Sequence, residues 1–157
     1  MKIGRVTLSD RASAGVYADE SGPAIETALA GVFSEAVEFI PILRPDELGE
    51  IAAALRQLAD NEGCELIVTT GGTGPTPRDV TPEATRSILE KELPGFGEIM
   101  RVKSFEIAPT AILSRATAGI RGKSLIINLP GSPKAVRECL EILRPAIREA
   151  IRHLRET

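Results

Sequence analysis

Tryptophan is absent from this chain of 157 residues, and the other aromatic rings amount to one tyrosine and four phenylalanines. Proteins that grip single-stranded nucleic acid stack bases on aromatic rings inside a basic groove. With so few rings and a formal net charge of −3, this chain is not built for that partner. Histidine is nearly as scarce. His153 stands alone near the carboxyl terminus, which argues against histidine-based chemistry and suits a solvent-facing helix-end cation. The two cysteines, Cys64 and Cys139, lack metal-ligand spacing and read as small buried apolar residues, not as a disulfide or a catalytic pair. No apolar run is long enough to cross a bilayer, and polar residues follow Met1 too soon for a signal peptide. The expected setting is cytoplasmic, with no membrane contact. The length suffices for one domain with a real core, and residues 1–157 are expected to form it.

Glycine and proline, by contrast, are plentiful at 14 and 11 residues, and they punctuate an alternation of apolar runs and helical patterns. Ile3 to Leu8 reads as a buried strand opening into a polar loop. Ser21-Gly22-Pro23 marks a helix start, with Ile25, Ala28 and Leu29 at helical spacing. Val37 to Leu43 is strand-like, and Asp46 stands where it would cap a helix whose apolar face is Leu48, Ile51, Ala52, Leu55 and Leu58, ending at Gly63. Leu66-Ile67-Val68 leads straight into a glycine-rich loop. Thr81-Pro82-Glu83 follows as cap, proline and first-turn acid of a helix, and Phe96 to Phe105 forms another helical patch. Ala116 to Arg121 and Ser124 to Leu129 flank Gly122-Lys123 as a tight hairpin. From Lys134, the spacing of Val136, Leu140, Leu143, Ile147, Ile151 and Leu154 predicts a long amphipathic helix. This order predicts an α/β three-layer sandwich: a mostly parallel sheet with helices on both faces and one antiparallel strand from the hairpin near 116–129. Such sheets bind ligands beyond the carboxyl ends of their strands. The loops 9–17, 69–79 and 130–134 are therefore the candidates.

The glycines match neither familiar nucleotide motif. Gly122-Lys123-Ser124 has Thr117 where a Walker loop needs glycine, and Pro77 stands where a dinucleotide fingerprint starting at Gly72 and Gly74 needs its third glycine. What remains is an apolar strand followed by Thr69-Thr70-Gly71-Gly72-Thr73-Gly74. Spacing alone leaves a plain glycine-rich turn and a backbone anion cradle equally open. Asp79 is more pointed, because Thr81 is already the expected cap of the next helix. An acid beside a phosphate cradle implies a cation between them, and Mg²⁺ is the natural choice.

These segments, in this order, resemble the molybdopterin adenylyltransferases of molybdenum-cofactor synthesis, the MogA group, related to the G domains of gephyrin and the plant Cnx proteins. The matching blocks are residues 9–17, 19–23, 45–47, 69–74, 78–85, 94–98, 113–115 and 129–134, so the resemblance spans nearly the whole chain. It extends to the MoaB branch, which shares many of the same blocks.

The resemblance implies a homotrimer that uses Mg-ATP to adenylylate molybdopterin, releasing pyrophosphate. It implies that Asp46 and Asp79 are the acids on which catalysis depends, and that both hold the metal. Ser9, Asp10, Thr70, Gly71, Gly72, Thr73, Gly74, Ser114, Pro130, Gly131, Ser132, Pro133 and Lys134 are the implied binding residues for pterin and nucleotide. On that reading the amides of Gly71 to Gly74 steady developing negative charge, Arg78 or Lys134 adds a cation, and a molybdate-insertion protein is a partner. Two other functions fit the resemblance: a non-catalytic molybdopterin-binding or scaffold module, as in gephyrin, and a CinA-like nucleotide pyrophosphatase.

Overall fold

Strands β1 (Lys2–Leu8), β2 (Glu38–Arg44), β3 (Leu66–Thr70), β4 (Lys91–Glu92), β5 (Ala118–Arg121) and β6 (Ser124–Leu129) form one sheet in the computed structural model, which describes residues 1–156. Their order is β2-β1-β3-β6-β5-β4. The first four in that order are parallel, and β5 runs against β6, as the hairpin predicts, and also against β4. β3 and β6 are buried at every position, the expected state of parallel strands covered on both faces. β2 lies at an edge, where Pro41 opposite Arg5 is tolerated because an edge strand can lack a donor.

The helices are α1 (Asp10–Ser13), α2 (Ser21–Leu29), α3 (Leu48–Arg56), α4 (Thr81–Ile88), α5 (Pro94–Phe105) and α6 (Pro133–Arg155). Alternation along the strands divides the core in two. Leu66, Val68, Leu125, Ile127 and Leu129 pack with Ile25 and Leu29 of α2 and Val136, Leu140, Leu143 and Ile147 of α6. Ile67 and Ile126 point the other way, to Ile51 and Leu55 of α3 and Ala84 and Ile88 of α4. A one-residue slip of β6 would exchange these two sets, so the register is pinned from both sides. Beyond Arg56 the helix widens into a π-helical turn, Gln57–Asn61, before Gly63 turns the chain at a φ of 67°.

Three small elements escape the periodic patterns. α1 is a single turn, held by Ser9 Oγ accepting from the Ala12 amide at 3.1 Å. β4 has only two residues, both exposed, and a 3₁₀ turn covers Pro109–Leu113. α5 starts at Pro94, earlier than the apolar pattern suggests, because proline is well suited to a first helical turn.

α6 opens with Ser132 as its cap, whose Oγ accepts from the Ala135 amide at 3.1 Å, followed by Pro133. Losing such a cap costs about 1 kcal/mol. Ser132→Ala is therefore expected to lower the thermal midpoint by roughly 2–4 °C, with Ser132→Asp close to the parent. A calorimetric midpoint unchanged in the alanine variant would deny the cap its role.

Candidate active site

The parallel strands deliver their carboxyl ends to one edge, and hydrogen bonds sew the emerging loops together. The Ser9 amide donates to Arg44 O at 3.0 Å, and the Gly71 amide to Leu129 O at 3.2 Å. Thr70 Oγ1 donates to Pro130 O at 2.7 Å, and Ser21 Oγ to Gly131 O at 2.8 Å. Between these loops lies a cleft of about 380 Å³ lined by Thr7, Ser9, Tyr17, Asp19, Glu20, Ser21, Asp46, Thr70, Gly71, Gly72, Asp79, Gly131 and Pro133, among others. It sits where the chain leaves β1 for β2 on one side and β3 on the other, the switch point at which such sheets take ligands. On the far side of the glycine loop a second cavity of about 280 Å³ meets Thr73, Gly74, Ser114 and Pro130, and its remaining wall includes Met100, Ile107, Ala111 and Cys139.

The glycine loop is demanded first by the protein's own packing. Gly71 has a φ of 97°, and a Cβ there would stand 2.3 Å from Leu8 O. Gly72 has a φ of 66°, and its Cβ would lie 2.3 Å from Thr81 Oγ1 and 2.9 Å from Asp46 Oδ1. Because the Gly71 amide is already bonded to Leu129 O, the expected cradle of amides from Gly71 to Gly74 loses its first member. Thr81 also departs from expectation. The cap position of α4 belongs to Val80, without a side-chain bond, while Thr81 Oγ1 donates to Gly71 O at 2.9 Å and fastens the loop.

Asp46 does not cap α3 either; Glu47 occupies that position. Asp46 instead exchanges two hydrogen bonds with Asp10: the Asp10 amide donates to Asp46 Oδ2, and the Asp46 amide to Asp10 Oδ1, both at 3.0 Å. Asp46 Oδ1 is left buried with no donor. Burial, aided by the charges of Asp10 and Asp79, pushes the Asp46 carboxyl above its ordinary value despite the Asp10 amide. Asp79 has a turn role that spacing did not suggest: its Oδ2 accepts from the Thr76 amide at 2.9 Å and from Thr76 Oγ1 at 2.6 Å.

The basic residues near the cleft face away from it. Arg78 forks onto Asp10, with Nε at 3.0 Å from Oδ2 and Nη2 at 2.9 Å from Oδ1, and also reaches Glu47 at 3.0 Å. Its guanidinium holds the Asp10 carboxyl below the usual range, so the two stand as an ion pair outside the cleft. Lys134 is largely exposed, 3.8 Å from Glu138, and lines neither cavity. Arg115, adjacent to the expected Ser114, is the residue that sequence reasoning passed over. Its Nε donates to Gly74 O at 2.9 Å and its Nη2 to Asp79 O at 2.7 Å, its own amide reaches Thr73 O at 2.8 Å, and it pairs with Glu83. Asp19 was also overlooked; it lines the cleft while accepting from Thr7 Oγ1, Arg5 and the Gly22 amide. Both lie inside blocks that carried the resemblance, which is the signal that would have found them.

Residues 4–149 match the profile of a family described as a probable molybdopterin binding domain. The chain belongs to this molybdopterin-binding family. It is 55% identical over 92% of its length to the molybdopterin adenylyltransferase of Helicobacter pylori strain J99, covering 82% of that protein. It is 47% identical over 98% of its length to the Escherichia coli K12 protein of the same name, covering 78% of it. Among solved structures, the molybdopterin biosynthesis enzyme MoaB of Thermus thermophilus superposes with a TM-score of 0.89 at 45% identity, covering 99% of this chain and 97% of the other. The likeness to CinA of Thermoplasma acidophilum, at 21% identity and a TM-score of 0.70, is one of fold alone.

In this member of the molybdopterin-binding family, Asp46 is also a thermodynamic burden. Its folded pKa lies above the ordinary value of 3.8, so ionised Asp46 opposes folding at neutral pH, and the penalty fades as pH falls through the folded value towards 3.8. Asp10 has the opposite sign: it stabilises above 3.8 and ceases to as pH falls below that value. Asp46→Asn, which keeps an acceptor for the Asp10 amide, is therefore expected to raise the metal-free thermal midpoint at pH 7. The gap from the parent should narrow near pH 4. A midpoint at or below the parent's at pH 7 would refute the burden.

Proposed function

We propose that this chain is a molybdopterin adenylyltransferase of molybdenum-cofactor synthesis that transfers AMP from Mg-ATP to the terminal phosphate of molybdopterin. The observation that carries the reading is the cleft's charge. Four acids, Asp19, Glu20, Asp46 and Asp79, line it, Oδ1 of Asp46 being buried with no donor, and no lysine or arginine lines it among the described residues. Two phosphate-bearing substrates would be repelled from such a wall unless a cation entered with them. Asp46 Oδ1 and Asp79 are the groups that would hold Mg²⁺. Among the described residues no cluster of three or more His, Cys, Asp or Glu is arranged for a metal, so phosphate and water oxygens would complete the shell. The bound ion would neutralise the phosphates and polarise the α-phosphoryl group.

The protein's own part is positioning. Attack by a molybdopterin phosphate oxygen on the α-phosphorus forms one P–O bond and breaks the bond to the departing pyrophosphate, so no protein nucleophile is required. The Gly72 to Gly74 segment separates the acidic cleft from the cavity beside Ser114 and Pro130, and the two together offer room for a pterin and a nucleotide. Ser9, Thr70, Gly131 and Pro133 form the cleft wall in this reading. The close relatives carrying this enzyme's name support the chemistry. The free, buried Cys64 and Cys139 suit a cytoplasmic setting.

Incubation with molybdopterin, Mg²⁺ and ATP should yield adenylyl-molybdopterin and pyrophosphate by mass spectrometry. Asp46→Asn and Asp79→Asn should each lower kcat on the order of 10²–10³-fold without unfolding. ATP cleavage without pterin would instead indicate a pyrophosphatase, and pterin binding without turnover a scaffold of the gephyrin kind.

A homotrimer belongs to the same proposal. Val102 and Phe105 of α5 and Ile107, Ile112 and Leu113 beyond it are each about half exposed. An apolar patch of this kind marks a contact surface, and the threefold number comes from the resemblance. Light scattering should give a trimer for the parent and a monomer for Val102→Glu. A monomeric parent would remove the trimer from the proposal.

A further inference from the structure

We propose that Arg78 is a positioning residue that sets the placement of Asp46 relative to Asp79, acting through Asp10 and not through the substrate. Three loops meet at this one side chain. Arg78 and Asp79 are neighbours in the loop after β3, Asp10 opens α1 after β1, and Asp46 precedes α3 after β2. The guanidinium fork fixes both carboxylate oxygens of Asp10, at 3.0 and 2.9 Å. Asp10 in turn exchanges its amide and carboxylate with those of Asp46, at 3.0 Å each way. A continuous chain of charge-assisted and backbone hydrogen bonds thus runs from the peptide carrying Asp79 to the carboxylate of Asp46. Glu47 Oε1, 3.0 Å from Nη2, adds a second anchor on the Asp46 loop.

Two observations separate this role from the alternatives. Arg78 does not line the cleft, so its charge is directed at Asp10 and Glu47 and not at a bound phosphate. The pairs are also largely solvent-exposed, with side-chain exposures of 56% for Arg78, 43% for Asp10 and 54% for Glu47. Exposed pairs add little to global stability. The consequence of losing the fork is therefore local misplacement of an acid, and misplacement by about 1 Å can cost on the order of 10²-fold in rate. Lysine keeps the charge but offers no planar fork, so it restores the link only in part.

The kinetic arm of the test rests on the adenylyl-transfer reading; the exchange arm does not. In the full chain, Arg78→Gln is expected to speed hydrogen exchange at the Asp10 and Asp46 amides by roughly 10-fold or more, with the β3 amides unchanged and the thermal midpoint within about 3 °C of the parent. Its kcat should fall about 10–100-fold while KM for ATP stays within about 3-fold, and Arg78→Lys should lie between. Unchanged exchange at both amides would overturn the proposal. So would a raised KM with kcat intact, which would put Arg78 on the substrate. Should Arg78→Gln fail to fold, the same comparison on Arg78→Lys decides. If the parent makes no adenylylated pterin, the functional reading fails, and the exchange measurement still judges the link.

Discussion

A carboxylate oxygen held out of water with no donor beside it is the constraint around which the loops of this protein are arranged. Burying an ionised group unpaired is expensive, and such groups persist only where surrounding structure holds them. At Asp46 the surroundings do so by engaging the groups beside Oδ1: Oδ2 takes the Asp10 amide, and the Asp46 amide is bound to Asp10 in return. Gly72 has no side chain because Oδ1 and the Thr81 hydroxyl occupy the place where its Cβ would be. Thr81, in turn, is turned away from the helix end it would otherwise cap so as to hold Gly71 O. The parallel order of β2, β1, β3 and β6 makes the arrangement possible, since it brings every one of these loops to a single edge.

What was legible in the sequence follows the range of the interactions concerned. The continuous apolar run Leu66-Ile67-Val68, and the spacing of Ile51, Leu55 and Leu58, are local signals, and they led directly to a buried strand and the helix before it. The mistakes at Asp46, Thr81 and Arg115 share one cause. Capping is a relation between residues three apart, so Asp46 and Thr81 both looked like caps; their actual partners lie 36 and 10 residues away. Arg115 is the extreme case, reaching Gly74 and Asp79 across 41 and 36 residues, and no spacing rule reports such a bond. Asp79 erred in the other direction. Its bonds to Thr76 are local, but Pro77 and Arg78 between them disguised an ordinary acid-closed turn.

The electrostatic layout separates scaffold charge from site charge. Arg78 and Arg115 both stand beside the Asp79 loop, yet one is bound to Asp10 and Glu47 and the other to Glu83 and backbone carbonyls. Arg5 likewise answers Asp19 from behind. Positive charge thus surrounds the cleft and stiffens it without entering it, while Asp46 and Asp79 are left inside.

For the proposed reaction this division has a kinetic logic. A lysine fixed in the cleft would attract either phosphate-bearing substrate as strongly before reaction as during it, and uniform binding of that sort does not raise kcat. Acids in the same place do the reverse: they disfavour each substrate alone and favour the assembly in which a shared cation lies between phosphates and protein. Neutralisation is then greatest when both substrates are present. That condition is the one in which the attacking oxygen and the α-phosphorus must approach despite their charges. The buried, unpartnered oxygen of Asp46 gives the assembly a further advantage, because a ligand at Oδ1 relieves a strain the free protein carries by itself.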